Sequence, residues 1–143
     1  MNLFGMLEIG GSALGAERQR AEVVASNMAN AQTTRTAAGG PYRRQLVVFQ
    51  SRRVPRFSLA LAGWHRESPA VRVAAVIPDA RPPLMRFEPG HPDANAQGYV
   101  AYPQVDPIEE MTDLLGAVRA YEMNASAVQA AKNMIQQSME LLR

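Results

Sequence analysis

The chain has 143 residues and no cysteine. That excludes disulfides, thiolate metal sites and a cysteine nucleophile, and it leaves the redox compartment open. Lysine is nearly missing: Lys132 is the only one, so the basic charge is almost all arginine. Aromatic residues make up 6%, too few for base-stacking surfaces, and no helix-turn-helix or finger pattern accompanies them. No run approaches the ~18 apolar residues of a membrane span. No basic stretch followed by an apolar run opens the chain, and Glu8 and Glu17 interrupt its start. Any export from the cytoplasm is expected to proceed without a cleaved signal peptide.

Proline is absent from both ends. All ten prolines lie between Pro41 and Pro107. Proline lacks the N–H and clashes with the preceding helical turn. The ends are free to be long helices and the middle is not. This divides the chain into an N-terminal helical segment (1–32), a strand-containing middle (33–107) and a C-terminal helical segment (108–143). Charge follows the same division: net −1, +5 and −2 in that order.

The C-terminal segment carries the clearer helix signals. Pro107 suits the first helical position. Asp106 stands at the N-cap, and Glu109 three residues later suggests a capping box. Apolar residues recur at Ile108, Met111, Leu115, Val118, Tyr121, Ala125, Val128, Ile135, Met139 and Leu142. This heptad-like stripe predicts one helix about 52 Å long at ~1.5 Å per residue. In the N-terminal segment, Leu3, Leu7, Leu14, Ala21, Val24 and Met28 share a seam. Gly5, Gly10, Gly11 and Gly15 weaken its start, by ~1 kcal/mol each relative to alanine. The helix is expected from about Ser12 to Ala29, with Asn30 as a left-handed cap. In the middle, QLVVFQ (Gln45 to Gln50), the alternation of Phe57, Leu59 and Leu61, and that of Val71 and Val73 read as short strands.

A narrow apolar seam needs a partner along its length. The middle is too small to cover a helix of that size. If the two helices pair, Ala117, Ala120, Ala127, Ala130 and Ala131 are expected to stay exposed. The pattern points to a chain completed by neighbouring subunits. An ordinary α+β monomer with two helices remains the competing reading.

Two stretches bear on that choice. They are ALGAERQRAEVVASNMANAQTTRTAAGGPYRRQLVVF (Ala13 to Phe49) and PGHPDANAQGYVAYPQVDPIEEMTDLLGAVRAYEMNASAVQAAKNMIQQSMELL (Pro89 to Leu142). Together they resemble the flagellar basal-body rod proteins, and within them the proximal-rod FlgC type. SNMANAQTT (Ser26 to Thr34) is similar to a signature of rod and hook subunits. GGPYRR, GHPDANAQGYV and EEMTDLLGAVRAYEMN are similar to the FlgC type in particular.

The resemblance implies an α+β fold in which long N- and C-terminal helices form an α-helical coiled coil beside a small strand-containing middle domain. It implies a structural protein with no catalysis and no cofactor, exported by the type III flagellar apparatus into the periplasm-spanning rod. Implied partners are other proximal and distal rod subunits, further copies of itself, and proteins at the junction of the MS ring and export gate. Nucleic acid and small-molecule substrates are not expected. The assembly interface is then placed on Leu14, Ala21, Val24, Asn27, Met28 and Asn30 of the first helix. On the second it is placed on Ile108, Met111, Leu115, Val118, Arg119, Tyr121, Glu122, Ala125, Val128, Ile135, Met139 and Leu142. Asn27 and Asn30 offer amides across a packed interface or at the helix end. Arg119 is expected to meet a neighbour's carboxylate, with Glu110, Glu122 and Asp113 as candidates. The arginines of the middle (Arg43, Arg44, Arg52, Arg53, Arg56) face either an acidic partner or solvent.

Enzymatic readings find little support. His65 and His91 are the only histidines, and neither has metal-ligand spacing to another donor. His91 and Asp93 in GHPDAN read better as a turn that launches GYVAY than as a catalytic pair.

Overall fold

A computed structural model describes residues 3–55 and 67–141. Two long helices flank two antiparallel hairpins. Helix α1 spans Leu3–Ala29 and helix α2 spans Pro107–Glu140. Strands β1 (Gln45–Pro55) and β2 (Glu67–Pro78) form the first hairpin. Strands β3 (Leu84–Phe87) and β4 (Tyr99–Tyr102) form the second. The α+β class is therefore correct. The expected Phe57–Leu61 strand and Leu142 lie outside the described residues.

Helix α2 starts as the sequence requires. Asp106 is in extended conformation, its carboxylate accepts from Ile108 N at 2.9 Å, and Pro107 takes the first helical position. The capping box is not completed, because the Glu109 side chain turns to Arg44 instead. The helix has 34 residues, about 51 Å at ~1.5 Å each. No helix of the described residues is long and apolar enough to cross a membrane.

Helix α1 begins earlier than expected, at Leu3 rather than near Ser12. Its early glycines are absorbed by packing. The helices run antiparallel, with Asn27 beside Glu110 at one end and Gly10 against Val128 at the other. A Cβ on Gly10 would stand 2.5 Å from Val128 Cγ2. The bare backbone lets the helices approach closely, which offsets the poor helix propensity of glycine. The facing side of α2 is lined with small residues: Ala117 and Ala131 are fully buried. The expectation that both stay exposed is overturned, since a close helix pair needs small side chains at its contact. Ala127 and Ala130 do remain exposed.

Asn30 is not a left-handed cap, because no described non-glycine residue has positive φ. Its amide donates to Ser26 O and its oxygen accepts from Thr33 Oγ1. The helix is thus closed by side-chain bonds, without a reversal of backbone hand.

The first hairpin is longer than QLVVFQ suggested. Strand β1 runs on through SRRVP, paired residue by residue with β2 apart from a bulge at Val48/Phe49. It is paired with β2 along its whole length, so polar residues are tolerated there. Helix α1 packs along β2. Ser12 Oγ donates to Ile9 O (2.7 Å) and accepts from Val71 N (3.1 Å), which satisfies a donor on the outer edge of β2. In the second hairpin Val100 is fully buried, while Phe87 and Tyr99 pack edge to face with centroids 5.3 Å apart. Gly98 (φ +79°) turns the chain beneath the Phe87 ring.

The glycine contact is testable by far-UV circular dichroism during heating of the purified chain. Gly10→Val should lower the melting temperature, and adding Val128→Ala should recover part of the loss. Gly11→Ala, with nothing within reach of its Cβ, should instead stabilise by about 0.4–1 kcal/mol. Equal effects at the two glycines would refute the close-contact account.

Candidate functional site: a buried polar clasp and an exposed helix stripe

Three elements meet at one buried polar cluster. From α1 comes Asn27, 1% exposed; from just before β1, Arg44, 7% exposed; and from the first turn of α2, Glu110, fully buried. Position 27 faces both α2 and the hairpin, position 44 immediately precedes β1, and Glu110 lies one turn after the Asp106 cap.

The Asn27 amide uses all its capacity. Its Nδ2 donates to Gln45 O (2.9 Å) and Glu110 Oε2 (3.0 Å). Its Oδ1 accepts from Gln45 N (2.8 Å) and Tyr42 OH (2.9 Å). By engaging both backbone groups of Gln45, the side chain acts as a one-residue strand partner. Only a short amide offers a donor and an acceptor side by side.

Arg44 carries the charge. Its Nε donates to Glu110 Oε1, its Nη1 to Glu109 Oε1 (3.2 Å) and its Nη2 to Asp113 Oδ2 (3.4 Å). Arg20 reaches the other oxygen of Asp113 at 3.4 Å and Glu17 at 3.7 Å. Burial by itself lowers the Arg44 pKa. The hydrogen bond and charge of Glu110, then the charges of Glu109 and Asp113, outweigh it and raise the guanidinium above its ordinary value. A cation whose folded pKa is raised contributes fully below its unfolded value, and that contribution is lost only as pH rises through the folded pKa. Arg44 therefore keeps its charge, and its share of stability, throughout the neutral range.

The expected assembly residues separate into two groups. Val24 and Asn27 are buried within the chain. Leu14, Ala21, Met28, Asn30, Ala125, Val128 and Ile135 are half-buried. The others that are described lie outside: Ile108 (78% exposed), Met111, Leu115, Val118, Tyr121 and Met139, with Arg119 and Glu122 beside them. Ile108, Met111, Leu115 and Val118 form an apolar stripe on a different side of α2 from Glu110, Ala117 and Ala131. The heptad-like spacing in the sequence therefore marked an outward stripe as far as Val118 and drifts toward α1 beyond it, where Ala125, Val128 and Ile135 are half-buried and Val128 meets Gly10. Two carboxylates considered for Arg119, those of Glu110 and Asp113, are occupied by Arg44 and Arg20. Arg44 itself is no surface charge, whereas Arg43 is exposed. Arg52 and Arg53 lie on β1, and Arg56 is outside the described residues.

Sequence reasoning missed Arg44 and Glu110 as partners. In the sequence Glu110 is one candidate partner for Arg119, and Arg44 one arginine among several. The available signal was the adjacency of Arg44 to an apolar strand that has to dock. His91 and Asp93 do form a turn: His91 Nδ1 accepts from Asp93 N (3.1 Å), and Asp93 is held by Thr34 (2.8 Å) and Arg35 (3.5 Å).

Residues 7–35 match the family model described as flagella basal body rod protein, and residues 96–141 match that of the C-terminal part of flagellar basal body rod FlgEFG proteins. The whole chain is also similar to curated proteins named flagellar basal-body rod protein FlgC. That of Borreliella burgdorferi is 34% identical over 100% of this chain and 99% of its own length. That of Bacillus subtilis is 38% identical over 99% of each. That of Yersinia enterocolitica is 39% identical over 99% of this chain and 98% of its own.

Chemical denaturation tests the clasp. Glu110→Ala should cost about 3–5 kcal/mol, because Arg44 is left buried without its main partner. Asn27→Ala should cost about 1–3 kcal/mol through the stranded groups of Gln45. Both substitutions together should cost less than their sum, since they remove members of one network. Strict additivity would sink the idea of a coupled clasp.

Proposed function

Because the chain belongs to the FlgC-type family of flagellar basal-body rod proteins, we propose that it is a subunit of the proximal rod that polymerises through its terminal helices. It is a structural protein and not an enzyme. The carrying observation is the unpartnered apolar stripe on α2, Ile108 to Val118, in a chain whose opposite α2 face is already filled by α1. A monomer has no use for four large apolar side chains in water at 3- and 4-residue steps. A packed helical tube covers them.

In this reading residues 1–32 and 108–143 are the polymerisation segments, and 33–107 form the outer middle domain. The terminal helices pair as a coiled coil and line an axial channel. The subunit sits between the MS ring and the distal rod, contacts proximal and distal rod subunits and the junction with the export gate, and arrives in the periplasm through the type III flagellar export apparatus. The clasp holds the helix pair at a fixed angle to the middle domain, so each added subunit presents the same surface to the next.

Electron microscopy of basal bodies from cells lacking the chain should show assembly stopped at the membrane ring; complete rods and hooks would overturn the reading. Leu115→Asp and Val118→Asp should each abolish incorporation, since a charge is then buried at the interface. Normal swimming in soft agar by both variants would contradict the stripe.

A further inference from the structure

The loop of the second hairpin, residues 88–98, is closed by its own hydrogen bonds, and one of them depends on a titratable atom. Glu88 N donates to Gly98 O and Asn95 N to Tyr99 O, each at 2.9 Å. Asn95 Oδ1 accepts from Gln97 N and from Tyr99 N, each at 2.9 Å. His91 Nδ1 accepts from Asp93 N at 3.1 Å. An imidazole nitrogen accepts only while it carries no proton. This bond therefore requires a neutral His91 with its proton on Nε2.

Asp93 ties the loop to the rest of the chain. Its Oδ2 accepts from Thr34 Oγ1 at 2.8 Å, and its Oδ1 lies 3.5 Å from Arg35 Nη1. Among the described residues, no other hydrogen bond or ion pair joins residues 84–105 to residues 3–78. The tie leads on to the clasp: Thr33, next to Thr34, accepts from Tyr42 N at 3.0 Å, and Tyr42 OH donates to Asn27.

The groups around His91 single out its ring as the one that changes charge near neutrality. Tyr102 stands edge to face with it, centroids 6.3 Å apart. The Tyr102 hydroxyl donates to Glu88, which raises the phenol above its ordinary value, so it keeps its proton. Arg86 lies over the Tyr102 ring at 4.9 Å, and Arg35 approaches from the segment after α1. Guanidinium groups stay charged throughout. Carboxyl groups such as those of Glu88 and Asp93 titrate as a class below the imidazole window of about pH 5 to 8.

A proton taken up from solvent lands on the nitrogen that accepts from Asp93 N. Nδ1–H then opposes N–H, and the bond is lost. The new imidazolium is also a charged donor two residues from the Asp93 carboxylate, where it competes with Arg35 and Thr34. We infer that His91 and Asp93 form an acid-operated latch between the 88–98 loop and the end of α1. It is closed while the ring is neutral, and it opens when Nδ1 is protonated and the carboxylate turns to His91. The strands stay paired, because Val100 remains buried beneath them. The latch is a property of the folded chain and does not depend on the rod reading.

Hydrogen exchange of the full chain tests it, with rates corrected for the intrinsic effect of pH. Protection of the Asp93 amide should fall roughly five- to tenfold from about pH 7.5 to about pH 5.5, the loss of one hydrogen bond. Protection of the Gln97 and Tyr99 amides, held by the non-titrating Asn95, should stay constant and serves as the control within the same loop. His91→Asn keeps a side-chain oxygen that accepts two residues on but does not titrate. In that variant the Asp93 amide should be equally protected at both pH values. Unchanged protection in the original chain, or the same fall in His91→Asn, would overturn the latch. A second measurement needs no variant. In an NMR titration of the original chain, the Thr34 methyl signal should move with the His91 ring signals and share their midpoint. A Thr34 signal that stays still while the ring titrates would overturn it as well.

Discussion

Burying the Glu110 carboxylate against Arg44 forces three separate parts of the chain to meet. A carboxylate with no access to water needs a partner charge and filled lone pairs, or the folded state loses several kcal/mol. Arg44 supplies the charge and Asn27 the remaining donor. Asn27 can do so only while its other atoms hold Gln45, and Gln45 is where the hairpin begins. Helix pairing, hairpin placement and the direction of the second helix are therefore linked through one network. The apolar interior is small: Ala16, Val24, Ala70, Val100, Ala117 and Ala131 are its buried members among the described residues. Four of these six are alanines, so hydrophobic burial alone fixes the arrangement weakly. The polar clasp supplies the specificity that a larger core would otherwise give.

Much of the architecture was legible in the sequence. Proline distribution located both helices, and Asp106–Pro107 located the start of the second within a residue. What stayed hidden has a common physical cause. Periodicity records which residues share a side of a helix, but not which side faces inward. Over the first turns of α2, Ile108 to Val118, the large apolar residues face outward while Ala117 faces inward, the reverse of an ordinary amphipathic helix. The strong stripe was visible, and the alanine seam beneath it was read as spare surface. Pairings such as Arg44 with Glu110, 66 positions apart, leave no local trace. The role of Gly10 was concealed in the same way, because a missing side chain gives no pattern until its neighbour, Val128, is known.

The division between inward and outward surfaces also explains how one chain is both specific and incomplete. Interactions that need exact geometry, namely the amide of Asn27, the guanidinium of Arg44 and the close approach at Gly10, lie inside the subunit. Interactions that tolerate small shifts, between methionine, leucine, valine and isoleucine side chains, lie outside. Hydrogen-bonded networks lose their value with small displacements, whereas dispersion between flexible apolar groups changes gradually. A subunit built this way keeps its own shape while accepting neighbours in slightly different settings.

The bond from Val71 N to Ser12 Oγ has a consequence for how strands from different chains can meet. A two-stranded ribbon normally has two open flanks, and a chain with two such flanks can zip to others without limit. Here Ser12, carried by helix α1, takes the outward N–H of Val71, so β2 is closed to another strand at that point. On the other flank Asn27, from the same helix, holds both main-chain groups of Gln45 at the start of β1. Each flank of the ribbon is thus interrupted by a polar side chain of one helix, which discourages strand-to-strand joining between chains.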